Sequence, residues 1–283
     1  MQSLKSTYQL CNGVPIPCVG FGTWQIENGP LAYQSVRIAL DVGYRHVDTA
    51  AAYGNEESVG KAIRDSGLPR EEIFVTSKLS NLDRGYQETM AAFERSLNNL
   101  GFSYLDLYLI HWPNPIRYRN NWQEANAESW KAFEELYRSG RIRAIGISNF
   151  RPHHIDALLQ TATVAPMVNQ IRLCPGDTQD ETVSYCREKN ILLEAYSPLG
   201  TGKVFSVPEL KAMAEKYNKT IAQICLRWSL QMGFLPLPKS TTPERIRENA
   251  DLFDFELSPE DVCAISNLKG CCGTASDPDQ ITF

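Results

Sequence analysis

The chain has 283 residues, 43% of them hydrophobic and 22% charged, a balance that supports a packed core and excludes the apolar-poor composition of a disordered chain. A formal net charge of -5 excludes a duplex-coating protein, which needs a basic face to displace phosphate counterions. No stretch reaches the ~20 apolar residues of a membrane span, and the opening MQSLKSTYQLCNG lacks an apolar leader core, so a cytoplasmic protein without membrane or nucleic-acid partners is expected.

The first expected element is a hairpin, with Asn12-Gly13 as a two-residue turn between Tyr8–Cys11 and Val14–Pro17. Short aliphatic runs then alternate with longer amphipathic segments. Strands are predicted at Val19–Gly22, His46–Thr49, Ile73–Ser77, Leu105–Ile110, Ile142–Ile147, Met167–Ile171, Leu192–Tyr196 and Phe234–Leu237, each short and apolar enough to be buried on both faces. Apolar residues three and four apart predict helices at Leu31–Val42, Glu56–Ser66, Tyr86–Leu100, Ala127–Ser139, His153–Gln160, Asp180–Lys189, Glu209–Tyr217 and Ile221–Gln231. Gly43, Gly67, Gly101 and Gly140 close helices, and Thr242-Pro243-Glu244 and Ser258-Pro259-Glu260 open them.

Strand-helix repetition without a linker implies either one parallel barrel or one doubly wound sheet. A doubly wound nicotinamide enzyme carries G-x-G-x-x-G where its first strand opens a helix. Here Gly20-Phe21-Gly22 continues into Thr23-Trp24-Gln25, and Gly60-Lys61 is followed by Ala62, without the hydroxyl of a P-loop. The expected fold is therefore an α/β protein of the (β/α)8 TIM-barrel class, which needs ~250 residues, as one domain over residues 1–283. The eight cysteines form no C-x-x-C pair and no zinc-spaced cluster, so reduced thiols and no metal are expected. Vicinal Cys271 and Cys272 in a Gly-flanked tail are the most open to oxidation.

Barrel chemistry sits at the carboxyl ends of strands. There this sequence places Asp48, Lys78, His111, Ser148-Asn149, Gln170, Ser197 and Lys239-Ser240. Each alone has an ordinary reading: Asp48 as a helix cap, His111 as a satisfied core histidine, Lys78 as a solvated charge. So many polar groups at consecutive strand exits weaken those readings together.

The segments Gly43-Tyr44-Arg45-His46-Val47-Asp48-Thr49-Ala50, Tyr53-Gly54-Asn55-Glu56, Thr76-Ser77-Lys78, Asp106-Leu107-Tyr108-Leu109-Ile110-His111-Trp112-Pro113, Ile145-Gly146-Ile147-Ser148-Asn149-Phe150 and Pro238-Lys239-Ser240 resemble the signature segments of the aldo-keto reductase family. The hairpin is similar to that family's plug across the amino end of the barrel, and the short tail resembles bacterial members. The resemblance implies NADPH-dependent carbonyl reduction with Tyr53 as the acid, Lys78 lowering the phenol's pKa, Asp48 compensating the buried ammonium, and His111 hydrogen-bonding the substrate oxygen.

For NADPH, the resemblance implies Ser148, Asn149 and Gln170 at the nicotinamide carboxamide, Tyr196 stacked on the ring, and Ser197, Leu199 and Thr201 at the diphosphate. Lys239, Ser240, Thr242 and Arg245 form a cationic, hydroxyl-bearing group suited to a 2′-phosphate, with Glu248 and Asn249 matching adenine contacts. Trp24 and Trp112 match aromatic pocket walls. Ser80 stands where relatives often carry tryptophan, and Arg172-Leu173-Cys174-Pro175 replaces a more usual Glu-Tyr-His-Pro. The loop Pro113–Asn126 and the tail Gly270–Phe283 are expected to overhang the site. The expected partner is a small carbonyl compound, and the expected assembly a monomer or weak oligomer.

Two other functions compete. An aldolase-type lyase would use Lys78 as a Schiff-base nucleophile, which requires a neutral amine, whereas Asp48 beside it favours the charged form. A nonenzymatic NADPH-binding sensor or subunit would use the same fold without turnover.

Overall fold

The computed structural model describes residues 1–283. A hairpin of β1 (Thr7–Gln9) and β2 (Pro15–Pro17) precedes eight strands, β3 (Phe21–Gly22), β4 (His46–Asp48), β5 (Phe74–Leu79), β6 (Leu105–Ile110), β7 (Ile142–Ser148), β8 (Val168–Arg172), β9 (Leu192–Tyr196) and β10 (Leu235–Leu237). Around them run α1 (Pro30–Val42), α2 (Glu56–Arg64), α3 (Tyr86–Leu100), α4 (Trp122–Arg138), α5 (Pro152–Leu159), α6 (Asp180–Glu188), α7 (Pro208–Tyr217), α8 (Ile221–Gln231), α9 (Pro243–Glu248) and α10 (Pro259–Ser266). The eight strands pair in sequence order, all parallel. Every residue of β5 and β6 is buried, because packed side chains cover one face and helices the other.

The barrel closes between β3 and β10. Gly20 and Gly22 donate their backbone N–H groups to the carbonyls of Pro236 and Pro238 at 3.1 and 3.0 Å. The prolines have no N–H to return, so hydrogen bonds cross this seam in one direction only. Close approach is what glycine permits here: a Cβ on Gly20 would lie 2.5 Å from Leu237 and 2.7 Å from His46.

The hairpin differs from expectation. Leu10 N donates to Val14 O at 3.0 Å and Gly13 N to Leu10 O at 2.8 Å, so the loop holds three residues, Cys11 to Gly13, rather than two. Gly13 takes φ +81°, the left-handed residue that ends a three-residue hairpin loop. Asn12 fixes it by accepting from Val14 N at 3.1 Å and donating to Arg143 O, at the base of β7, at 3.0 Å. Helix α4 also begins earlier than expected, at Trp122, because Trp122 packs edge-on against His154 with centroids 4.9 Å apart. No helix is long and apolar enough to cross a membrane.

Candidate active site

The site is built where β4, β5 and β6 end. Lys78 points into the barrel and is fully buried. Its ammonium donates to both oxygens of Asp48 at 2.7 and 2.8 Å, to Thr49 O at 2.9 Å and to Tyr53 Oη at 3.2 Å. Tyr53 is delivered by a one-turn 3₁₀ helix, Ala51–Tyr53, directly after β4. Asn55 locks that turn: its Nδ2 donates to Thr23 O and Ile26 O, both at 2.9 Å, and its Oδ1 accepts from Thr49 Oγ1 at 2.8 Å. Glu56, next along, is buried between Ser77 Oγ at 2.7 Å and Asn99 Nδ2 at 3.1 Å.

Burial pulls the Lys78 ammonium down, but the Asp48 charge and its hydrogen bonds reverse this, and the net shift is upward. The lysine is therefore a cation, not a Schiff-base amine. For Tyr53 the expected lowering is overturned. Lys78 does favour the phenolate, yet burial raises the phenol more, assisted by the Asp48 charge, and Tyr53 stands above its ordinary value. It is a protonated donor throughout the neutral range.

The His111 ring meets Tyr53 edge-on with centroids 5.8 Å apart. Burial first, then the charges of Lys78 and Arg84, hold it far below the ordinary histidine value, so it is a neutral imidazole, and its Nδ1 is buried without a partner. Arg84 is a group the sequence did not single out. Its buried guanidinium donates to Trp112 O at 2.7 Å and Ser80 O at 3.1 Å, tying the exit of β6 to that of β5.

The residues read as cofactor contacts line the neighbouring strand ends and are partly engaged with one another. Asn149, at φ +63°, donates to His111 O at 3.0 Å and Ser148 Oγ at 3.1 Å and accepts from Tyr196 Oη at 2.8 Å. Ser148 Oγ donates to Gln170 O at 2.8 Å. Gln170 Nε2 donates to Asp48 Oδ2 at 2.9 Å and Glu194 Oε2 at 2.8 Å. Ser197, at φ +48°, and Leu199 are half-buried, and Thr201 is exposed. Ser240 Oγ caps the turn by accepting from Thr242 N at 3.1 Å. Lys239 and Arg245 are exposed and enter no ion pair, unlike Lys219 with Asp254 at 2.6 Å or Arg227 with Glu256 at 2.8 Å. Glu248 accepts from Thr220 Oγ1 at 2.8 Å, and Asn249 is buried.

Two titratable groups behind Asp48 and Lys78 are not legible as site residues in the sequence. Glu194, in β9, is fully buried, and burial together with the Asp48 charge pushes it up to about 8. His46 bonds Thr76 Oγ1 at 2.9 Å, and burial pushes it down to about 3. A charged residue inside the apolar run Leu192-Leu193-Glu194-Ala195-Tyr196 was the available signal.

At the mouth, Trp24 is 46% exposed. Trp112 packs edge-on against Phe283 at 5.4 Å, so the tail reaches Trp112. Ile116 N donates to Phe283 O at 3.3 Å, and Asn114 Nδ2 to Asp279 Oδ1 at 2.9 Å. His154 Nδ1 accepts from Arg151 N at 3.1 Å, so its Nε2 bears the proton it donates to Asp279 at 2.9 Å. This is a hydrogen-bonded clamp on the tail. Arg172 is another: it pairs with Asp177 and donates to Cys272 O at 2.6 Å and Gly273 O at 3.2 Å. Ser80 lies on a cleft of about 490 Å³ between the exit of β5 and α3, lined by Ala51, Glu56 and Asp83 and by Ala92, Arg95 and Asn99 of α3, and not by Tyr53.

The model of the Aldo/keto reductase family matches residues 18–269. A glyoxal reductase of Bacillus subtilis is 49% identical over 99% of both chains. A crystal structure of an aldo/keto reductase from Brucella melitensis superposes with TM-score 0.88 at 47% identity, covering 93% of this chain and 99% of that one. A Bombyx mori aldo-keto reductase in complex with NADP gives TM-score 0.85 at 36% identity, with 96% and 94% covered. With a family match over most of its length and these relatives, the chain belongs to the aldo-keto reductase family.

Proposed function

We propose that the chain, acting as one domain over residues 1–283, reduces an aldehyde or ketone to an alcohol with NADPH, Tyr53 serving as general acid. The observation that carries this is the position of Lys78 Nζ, which touches Asp48, Thr49 O and Tyr53 Oη at once. The residues present fit the cofactor. Lys239 and Arg245 are cations without carboxylate partners next to a buried Ser240, which suits a dianionic 2′-phosphate, and Gln170 has committed its amide nitrogen but not its carbonyl oxygen. When bound, NADPH supplies the hydride.

The protein's own part is positioning and proton supply. His111, held neutral, donates from Nε2 to the carbonyl oxygen and polarises it. Tyr53 gives its proton to that oxygen as negative charge develops there. Lys78 then stabilises the phenolate through their 3.2 Å contact, and Asp48 keeps the ammonium charged. Trp24 and Trp112 wall the substrate. Glyoxal, the compound in the name of the Bacillus subtilis relative, makes short dicarbonyls the first class to assay.

The test is Tyr53→Phe. Carbonyl reduction should fall by about 10²–10⁴-fold, while NADPH binding, followed by fluorescence, stays within twofold or so of wild type. Retained turnover would remove Tyr53 from the chemistry. Borohydride trapping of a substrate adduct on Lys78 would instead favour a lyase.

A further inference from the structure

Glu194 is a carboxyl placed in the middle of a barrel strand, completely buried, and the proton chemistry at Tyr53 does not use it. An isolated carboxyl in such a place is costly unless it is hydrogen-bonded. Its Oε1 has no hydrogen-bond partner, the nearest base being His46 Nε2 at 3.8 Å. Its Oε2 accepts from Gln170 Nε2 at 2.8 Å. The strand register sets this contact, since Gln170 on β8 pairs directly with Glu194 on β9.

The same nitrogen also donates to Asp48 Oδ2 at 2.9 Å. A primary amide nitrogen carries two protons, so both are spent on carboxyl oxygens. The opposite amide orientation would set Gln170 Oε1 against Asp48 Oδ2, which already accepts from the Lys78 ammonium at 2.8 Å, and Asp48 therefore selects the orientation. With Asp48 alone, one proton would be free, and the terminal torsion of glutamine is broad enough to wander.

We propose that Glu194 is a positioning residue: by accepting the second proton of Gln170 Nε2, it holds the Gln170 carbonyl oxygen as the acceptor for the carboxamide N–H of the nicotinamide. The inference rests on the reading above that Gln170 meets that carboxamide. Burial and the Asp48 charge push Glu194 up to about 8, toward the neutral acid, of which glutamine is the isostere.

The experiment measures dissociation constants for NADPH and for 2′-phospho-ADP-ribose, which lacks the pyridine ring, by quenching of intrinsic tryptophan fluorescence. The proteins are wild type, E194Q, E194M, E194A and Q170M, and E194A stands in should E194M not fold. E194M or E194A and Q170M should each weaken NADPH by roughly tenfold, the scale of one hydrogen bond, and leave 2′-phospho-ADP-ribose unchanged. E194Q, which retains the acceptor, should match wild type. Equal loss for both ligands or no loss in E194M or E194A, or a tenfold loss in E194Q, overturns the role of Glu194. Unchanged NADPH binding in Q170M would instead overturn the reading of Gln170 on which it rests.

Discussion

The ammonium of Lys78 lies 2.7 and 2.8 Å from the two oxygens of Asp48, and Lys78 has no solvent exposure. Removing one partner strands a charge in a barrel interior, which costs about 3–5 kcal/mol. Lys78→Met should therefore destabilise the protein by that order. Adding Asp48→Asn to it should restore much of the loss, because no bare charge then remains. Urea unfolding of the two single variants and the double variant measures this. A double variant no more stable than Lys78→Met would mean that packing, rather than charge compensation, sets the cost.

Lys239 and Arg245 have no carboxylate partners, so their charges are available to a 2′-phosphate. A charge-assisted hydrogen bond is worth about 1.5–3 kcal/mol, or roughly 10–100-fold in affinity. Substituting either by methionine should raise KM for NADPH by that factor and leave KM for NADH nearly unchanged. Steady-state kinetics with both cofactors decides it, and equal losses would separate these residues from the phosphate.

Part of the proposed site could be read from the chain because two of its groups close strands, Asp48 after His46-Val47 and His111 after Leu105–Ile110, whereas Lys78 lies within β5 and Tyr53 on the turn after β4. Strand pairing then brings those ends together. What depended on contacts between distant segments was not legible. Arg172 was read as a departure in the pocket, but it anchors the tail through the carbonyls of Cys272 and Gly273. The expected gap at Ser80 opens onto a cleft between the exit of β5 and α3. The direction of the Tyr53 shift also escaped, since the sequence displays its cation and not the depth of burial that outweighs it.

Ser80 gives a further prediction. Its Oγ accepts from Leu82 N at 3.2 Å and it is half-buried two residues after Lys78, so an indole here turns either over the Ala51–Tyr53 turn or into the cleft against α3, and the first placement is the one tested. Ser80→Trp should narrow the approach to Tyr53, penalising a bulky ketone by more than about 1 kcal/mol, which is over fivefold, relative to a short aldehyde. The ratio of kcat/KM for the two substrates at saturating NADPH reads this. An unchanged ratio would place the selective wall at the loop Pro113–Asn126 or at Phe283.

Glu194 makes stability depend on pH in a direction opposite to that of an ordinary ion-paired carboxylate. Its folded value, about 8, lies above the ordinary 4.5 of glutamate, so the native state holds a proton that the unfolded chain has released. Its contribution is fully present below 4.5 and is lost as pH rises through about 8. Asp48 and Lys78 face it through Gln170 and His46 Nε2 at 3.8 Å, and burial keeps His46 uncharged down to about 3. The buried histidines oppose this trend only below the ordinary imidazole value, where unfolding lets them charge. Glu194→Gln cannot titrate, so subtracting its stability from that of wild type isolates the carboxyl. The difference should move against wild type between pH 5 and 8, by at most about 1.4 kcal/mol per pH unit for one proton. Urea unfolding of both proteins at several pH values in that window makes the comparison. A difference that stays flat would mean that Glu194 is ionised in the fold and that Asp48 and Glu194 share Gln170 as two carboxylates.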